Sequence, residues 1–562
     1  MKILVINLMR FGDIIQSEPL LRGLKKRYPG AKIHLLVYSS FASATALIPH
    51  VDRVHIINLV RMSGLVNLGK RVLPFVFAYL INLFHKLRDE RFDLIVNITP
   101  SNIGGLTATL CHGKEIYGGY INQKGLRVIN NPWARYFYIV SEVRNCNNIN
   151  LVDLFMKEGR LNDSFKSLKL KVDESHKKEI QKLLDEKAHY RVALHLGASR
   201  ENRSWPPENF AEVARILKKE LDIQFILLGT PQEKVLAERF LKYFSLDCLN
   251  LVGKTDLKVL AAILSQVNLL VCNDTGPMHV ACGVGTKVIS TFLATANPYE
   301  TGPYGEGHLV IEPEIPCHPC DYEVECKHYY CHRVITPDVV AKLAKHILIG
   351  EPLSTDFKGI RVFYSRFSND GMLELFPIKP LDWTIERFVM LLWRAFFPAY
   401  LEGKSIDIED MLDKIEQYFG KEVIRKKYLE IKRQIDILDE LNFFAKNGEY
   451  YSKKIIEHLE MGNFLFVSNW LNLLKETDDY IRAWGHRNPA WKGLTEFFFL
   501  ERLSVEEGDI KEMAEKNKQC YLRLMEQTRG FMELIKNCLK EVYHDCYSEW
   551  KGNVCFSCLG KS

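Results

Sequence analysis

The apolar run Leu269-Leu270-Val271-Cys272 passes directly into Asn273-Asp274-Thr275-Gly276-Pro277-Met278-His279 and then into a small-residue run from Val280 to Gly285. That order spells a strand, a tight turn and a helix start, the unit from which parallel sheets wrapped by helices are built. Asp274 and Thr275 fall where the helix begins, a position at which side-chain oxygens cap free backbone N–H groups. The remaining N–H groups and the positive end of the helix point at whatever sits above the turn, and phosphate is a natural occupant. Gly276 lets a ligand approach the backbone closely, and His279, in the first turn, reaches the same pocket. The plain alternative is an ordinary strand-to-helix turn with a good cap.

A chain of 562 residues is too long for one core and calls for several domains. Its net charge of +6 is small for that length and argues against a dedicated nucleic-acid binder, which concentrates basic residues. Lys2-Ile3-Leu4-Val5-Ile6 reads as a first strand rather than a secretion signal. The longest apolar candidate for a membrane span, Val72 to Phe84, is broken by Pro74 and Asn82 and falls short of the roughly 18 residues needed. Of the 14 cysteines, those at apolar positions such as Cys272 and Cys282 look like reduced, buried thiols of a cytoplasmic protein.

Strand and helix patterns alternate from Ile3–Asn7 through Pro19–Arg27, Lys32–Tyr38, His55–Ile57 and Leu94–Ile98. A charged segment, Asp173 to Tyr190, reads as a linker. A second alternating series then runs from Arg191–Leu196 to Val288–Phe292. Beyond residue 350 helical spacing dominates, as in Ile424, Tyr428, Ile431, Ile435 and Leu438. The expected architecture is α/β: two Rossmann-like, doubly wound domains over 1–172 and 190–350, followed by an all-α domain over 351–562.

In open parallel sheets, ligands bind beyond the carboxyl ends of strands. Arg10-Phe11-Gly12-Asp13 lies there after the first strand, where Asp13 is either a general base in the cleft or a helix cap. His195-Leu196-Gly197-Ala198-Ser199 leads into Arg200-Glu201-Asn202-Arg203-Ser204-Trp205-Pro206. In that block Ser199 and Arg203 suit phosphate oxygens, or else form a solvated loop. Glu233, after Leu228-Gly229-Thr230, suits ribose hydroxyls or a second cap.

The order and spelling of these turns resemble glycosyltransferase family 9, the ADP-heptose:lipopolysaccharide heptosyltransferases, over roughly residues 1 to 350. The likeness rests on Gly12-Asp13, the His195 to Pro206 block, Asp274-Thr275-Gly276 with His279, and Thr301-Gly302-Pro303-Tyr304-Gly305. It implies a GT-B fold and an inverting transfer that requires no cofactor and no catalytic metal. It implies Asp13 as base, and Ser199, Arg203, Glu233, Asp274, Thr275, Gly276 and His279 as donor-binding residues. The implied donor is an ADP-linked sugar, the acceptor a glycolipid or a protein. Arg203 stands where many family members carry Lys, which would hold phosphate as a fork rather than a point charge. Two other readings compete: a sugar-nucleotide-binding scaffold without turnover, and a nicotinamide-dependent oxidoreductase. The second is opposed by the lack of a Gly-x-Gly-x-x-Gly turn after the first strand.

Three features stand outside that reading. Cys317, Cys320, Cys326 and Cys331 form a compact group that fits either structural zinc or iron, or reduced thiols or disulfides; Cys555 and Cys558 close the chain. Arg61 to Arg88 mixes basic and apolar residues and suits either peripheral contact at the cytoplasmic face of the inner membrane or packing on the first sheet. Trp484, His486, Arg487 and Trp491 either stack on sugars or anchor helices.

Overall fold

The computed structural model describes residues 1–58, 73–244, 248–320, 326–353, 355–503 and 509–549. Cys555, Cys558 and the Arg61–Val72 part of the basic–apolar segment lie outside them. Two compact units are present, one of Met1–Ala134 with Ile149–Lys379, the other of Arg135–Asn148 with the chain from Pro380 on.

The first unit holds two sheets. In the first, β1 (Lys2–Ile6), β2 (Lys32–Tyr38), β3 (Arg53–Ile57), β4 (Leu94–Asn97), β5 (Glu115–Ile121) and β6 (Arg127–Ile129) are ordered β3-β2-β1-β4-β5-β6. All neighbours are parallel except β5 and β6. Ile3 to Ile6 are fully buried, which is why β1 reads as an unbroken apolar run: both faces of a parallel sheet are covered. Leu20, Leu21 and Leu24 form the buried side of helix Glu18–Arg27, as their spacing predicts.

The second sheet comprises β7 (Tyr190–His195), β8 (Ile223–Leu228), β9 (Cys248–Asn250), β10 (Leu269–Asn273), β11 (Lys287–Thr291), β12 (Leu309–Pro313), β13 (Ile360–Phe367) and β14 (Leu373–Pro377). Their order is β14-β13-β12-β11-β10-β7-β8-β9. Cys272 pairs with His195 and His195 with Leu228, so β10, β7 and β8 end level and their following turns open on one edge. In each sheet the strand order reverses beside the strand whose turn carries the predicted chemistry, β1 in one and β7 and β10 in the other.

The boundary expected at residue 350 lies too early. β13 and β14 pair antiparallel with β12 and with each other and extend the second sheet. The signal was local: Asp370-Gly371 between runs rich in aromatic and β-branched residues is a hairpin pattern, and Gly371 takes φ +81°. Helices dominate only from Ile385 on.

The second unit is built from helices Ile385–Glu402, Ile408–Phe419, Tyr428–Glu460, Phe464–Arg487, Lys492–Leu503 and Ile510–Glu549. Its core is aromatic: Trp393, Phe396, Phe397, Trp491, Phe497 and Phe531 stack or meet edge to face. Trp491 donates to Gln434 Oε1 at 3.0 Å, and Trp484 and Trp491 are buried. These tryptophans therefore anchor helices.

Candidate functional site

The turn after β1 is knit by Asn7. Its Nδ2 donates to the Asp13 carbonyl at 3.1 Å, and its Oδ1 accepts the Met9 N–H at 3.2 Å. Asp13 is the third residue of helix Phe11–Gln16, and its Oδ2 accepts the Arg10 N–H at 2.9 Å. One carboxylate oxygen thus caps the helix; no described residue hydrogen-bonds the other, Oδ1. Burial pushes the Asp13 pKa up to about 6, although the Arg10 N–H and guanidinium pull it down. Across the cleft Asp274 adds to the rise and Arg203 opposes it. The base candidate of the first lobe therefore senses the charges of the second.

Asn273 organises the facing edge. Its Nδ2 donates to the Leu196 and Gly197 carbonyls at 2.9 and 3.2 Å, while Oδ1 accepts the Trp205 N–H and the Thr291 hydroxyl, each at 2.9 Å. A fully satisfied buried amide is a rigid tie, and it fixes the turns after β7 and β10 to each other. Sequence reading quoted Asn273 without giving it this role; its place as the last residue of β10 is the only local signal.

Arg203, 9% exposed, ends the short turn Glu201–Arg203. Its Nη2 donates to Asp274 Oδ2, and its Nη1 reaches the exposed Ser199 Oγ at 3.4 Å. Its Nε is buried with no acceptor among the described residues, an arrangement that calls for an acceptor from elsewhere. Asp274 is also approached by the Thr301 hydroxyl at 3.5 Å. Tyr304 of the same loop donates to Asp153 at 2.8 Å, and Asn150 Nδ2 donates to the Gly302 carbonyl at 3.2 Å. The Thr301–Gly305 stretch is thereby fixed against the turn.

Thr275 occupies the cap position of helix Gly276–Val284, but its side chain makes no capping hydrogen bond. The expected cap is replaced by a helix N-terminus without side-chain closure, which retains its attraction for an anion. The close approach that Gly276 permits is to the Phe11 ring, which a Cβ there would strike. His279 is 3% exposed and lies on Gly12. Burial lowers its pKa to about 4, so it is neutral at pH 7.

Glu233 accepts the Thr230 N–H at 2.6 Å and hydroxyl at 2.9 Å through Oε2, so the capping reading holds. Its Oε1 occupies the space a Cβ on Gly197 would fill, over the end of β7. Buried His195, which opens the block quoted from the sequence but was given no role of its own there, lies 3.8 Å from Oε2. Its own pKa is lowered by burial against the pull of Glu233.

The predicted residues therefore converge from two lobes: Asp13 on one side, Ser199, Arg203, Glu233, Asp274, Thr275, Gly276 and His279 on the other. Away from them, His34, His55 and Glu90 bring potential metal ligands within 4.8 Å of one another. Glu90, however, is already engaged by Lys2 and Arg53, and His34 Nδ1 lies 2.9 Å from His55 Nε2.

Two largely parallel sheets, with Asp13 after β1 of one and Arg203 and Asp274 after β7 and β10 of the other, make a two-lobed α/β architecture. Residues 143–330 match glycosyltransferase family 9 (heptosyltransferase); the chain carries a domain of that family and is a glycosyltransferase. A lipopolysaccharide core heptosyltransferase of Haemophilus influenzae is 22% identical over 312 residues, 55% of this chain and 83% of that protein. Lipopolysaccharide heptosyltransferase 1 of Campylobacter coli is 27% identical over 308 residues, 52% of this chain and 84% of that one. Among solved structures, a family 9 glycosyltransferase of Veillonella parvula covers 62% of this chain and 97% of its own at 19% identity, TM-score 0.47. The ADP-heptose heptosyltransferase II of E. coli covers 62% and 99% at 20% identity, TM-score 0.45. The family match ends before the helical unit.

Proposed function

We propose that the chain transfers a heptose, with inversion, from an ADP-heptose donor to a lipopolysaccharide-type glycolipid. Asp13 accepts the proton of the acceptor hydroxyl as that oxygen forms its bond to the anomeric carbon. The anomeric carbon–phosphate oxygen bond breaks, and the pair of electrons leaves with ADP. The departing diphosphate is met by Arg203, whose Nε has no acceptor among the described residues, and by the N-terminus of Gly276–Val284. Glu233 Oε1 takes the ribose hydroxyls. This route uses side-chain and helix electrostatics for the leaving group and assigns no step to a metal ion. The names of the relatives above support heptose and a lipopolysaccharide acceptor.

The observation that carries the reading is geometric: the His279 ring lies against Gly12, which sets Asp13 beside the turn where Arg203 pairs with Asp274. Asp13→Asn tests it: loss of a general base lowers kcat by about 10²–10⁴-fold, with donor affinity nearly unchanged. Undiminished turnover overturns the assignment. A thermal-shift panel of ADP-, UDP- and GDP-sugars tests the donor, because a ligand stabilises the state it binds; preference for a UDP- or GDP-sugar would displace ADP-heptose.

Peripheral membrane contact belongs to the same proposal. No described helix is long and apolar enough to cross a membrane. Helix Leu73–Asp89, however, exposes Phe75, Phe77 and Ile81 at 66, 60 and 56% and carries Lys86 and Arg88 in its last turn. Apolar side chains beside cations suit an anionic lipid surface.

A further inference from the structure

Helix Leu151–Glu158 belongs to the first lobe. Its end packs on helix Glu18–Arg27: the Leu20 side chain stands over Gly159, and Leu161 and Met156 stand over Gly23. Asn131 Nδ2 donates to the Glu158 carbonyl at 3.1 Å. From that base one carboxylate reaches the second lobe twice. Asp153 Oδ1 accepts the Tyr304 hydroxyl at 2.8 Å, and Oδ2 accepts the Leu373 N–H at 2.9 Å. Tyr304 lies before β12 and Leu373 opens β14. Asp153 and Tyr304 are 6% and 2% exposed, so these bonds lie in a low-dielectric interior where each is strong.

The β13–β14 hairpin is held at a second point. Ser164 Oγ donates to the Gly371 carbonyl at 2.9 Å, at the bend of the hairpin. Ser164 is itself fixed to the first lobe through its neighbours: Asp163 pairs with Lys26, and the Arg22 guanidinium lies over the Phe165 ring. Both the bend of the hairpin and the start of its second strand are therefore tied to the first lobe. The hairpin lies beyond the span 143–330 that matches the family, and the transfer chemistry has no use for it. Asp13 and Arg203, by contrast, stand on different lobes and face each other only while the lobes keep one register.

We propose that Asp153 is a positioning residue: together with the β13–β14 hairpin it clasps the second lobe to the first and keeps Asp13 opposite the Arg203–Asp274 turn before a donor arrives. Without the clasp, part of the population carries its lobes out of register. The apparent affinity for the donor then falls by the fraction that remains competent, and saturating donor restores the lost population. The signature is a raised donor KM at nearly constant kcat. A role in stability alone would lower the unfolding midpoint and leave KM unchanged. The kinetic part of this inference rests on the donor reading above; the register of the lobes does not.

Dipolar distance measurement tests the register without activity. Spin labels are attached to azido side chains at positions 123 and 238, one exposed site per lobe, which leaves the native thiols untouched. Wild type without ligand should give one narrow distance distribution. Asp153→Ala should broaden it and raise the KM for ADP-heptose about tenfold, as expected for hydrogen bonds lost from a charged group, with kcat nearly unchanged. Asp153→Asn should restore the narrow distribution, because a carboxamide can accept the Leu373 N–H and donate to the Tyr304 oxygen. Tyr304→Phe removes one tie and keeps the ring; it should also broaden the distribution, and it decides the matter if Asp153→Ala does not fold. Distributions in Asp153→Ala and Tyr304→Phe identical to wild type overturn the proposal. Broadened variants in a chain that does not turn over ADP-heptose support the clasp and count against the donor reading instead.

Discussion

The His279 ring rests on the backbone of Gly12: a Cβ on that glycine would stand 2.9 Å from Cδ2 and 3.2 Å from Nε2. Gly12 lies in the first turn of the helix after β1 and His279 in the helix after β10, so the two lobes meet where Asp13 is presented. With His279 3% exposed, the ring has little room to retreat. Gly12→Ala should therefore displace the Asp13 turn. An overpacked contact of this kind costs about 1–3 kcal/mol, and displacing a reacting group by about 1 Å costs on the order of 10²-fold in turnover. The expected result is a folded enzyme with much reduced kcat, read by steady-state kinetics beside a denaturant titration. Wild-type kcat would show that this contact does not set the position of Asp13.

Asp13 also makes a pH prediction. Its pKa is raised from the ordinary 3.8 to about 6, chiefly by burial. A raised carboxyl binds its proton more tightly in the folded state. Its contribution to stability is therefore complete below pH 3.8 and is lost as pH rises through about 6. Above that, the buried charge costs the fold up to about 3 kcal/mol, reduced by the partial exposure of the side chain. Asp13→Asn should accordingly be more stable than wild type at pH 8 and equal to it near pH 4, while being far less active. If Asp13 is the base, the acid limb of kcat/KM falls with an apparent pKa near 6. A variant less stable than wild type at pH 8 would show that the charge is compensated in the fold.

Much of this site was legible because its chemistry is local. Strand, glycine and acid follow one another in the turns after β1 and β10, and periodicity placed most of the helices and strands near their observed bounds. What the sequence hid is long-range. Asn273 ties the carbonyls of Leu196 and Gly197 to the Trp205 N–H, a role that exists only once β7 and β10 are neighbours. Gly276 invited the idea of a ligand at its backbone, yet the Phe11 ring lies there, from a turn about 265 residues away in sequence. The grouping of Arg135–Asn148 with the helices beyond Pro380 is likewise invisible to a window that reads neighbours only. The β13–β14 hairpin is a different case: its Asp370-Gly371 turn was readable and was masked by the helical spacing that follows.

Glu233 and Gly197 supply a test of donor recognition. The Glu233 Oε1 fills the space above Gly197, while Oε2 is held by Thr230. A methyl group at 197 would evict the carboxylate from the end of β7. If that carboxylate binds ribose equally in ground and transition states, its loss raises the donor KM with kcat nearly unchanged. Gly197→Ala and Glu233→Gln should therefore share one kinetic signature, a KM increase of about tenfold, as expected for a hydrogen bond to a charged group. A fall in kcat at constant KM would place Glu233 in the chemical step instead.

Helix Leu73–Asp89 offers the last prediction. Val76 and Leu87 turn inward, but Phe75, Phe77 and Ile81 remain more than half exposed. A helix serving only to cover a parallel sheet would bury its aromatic residues. Burying one phenylalanine in the interfacial region contributes about 1.5–3 kcal/mol by area, and each nearby Lys or Arg adds about 1 kcal/mol on an anionic surface. Vesicles containing phosphatidylglycerol should therefore retain the chain in flotation at low salt and release part of it at high salt, because only the ionic share is screened. Phe75→Ser with Phe77→Ser should abolish retention and leave turnover on a soluble acceptor analogue unchanged. Equal flotation of wild type and double variant would assign the exposed face to something other than lipid.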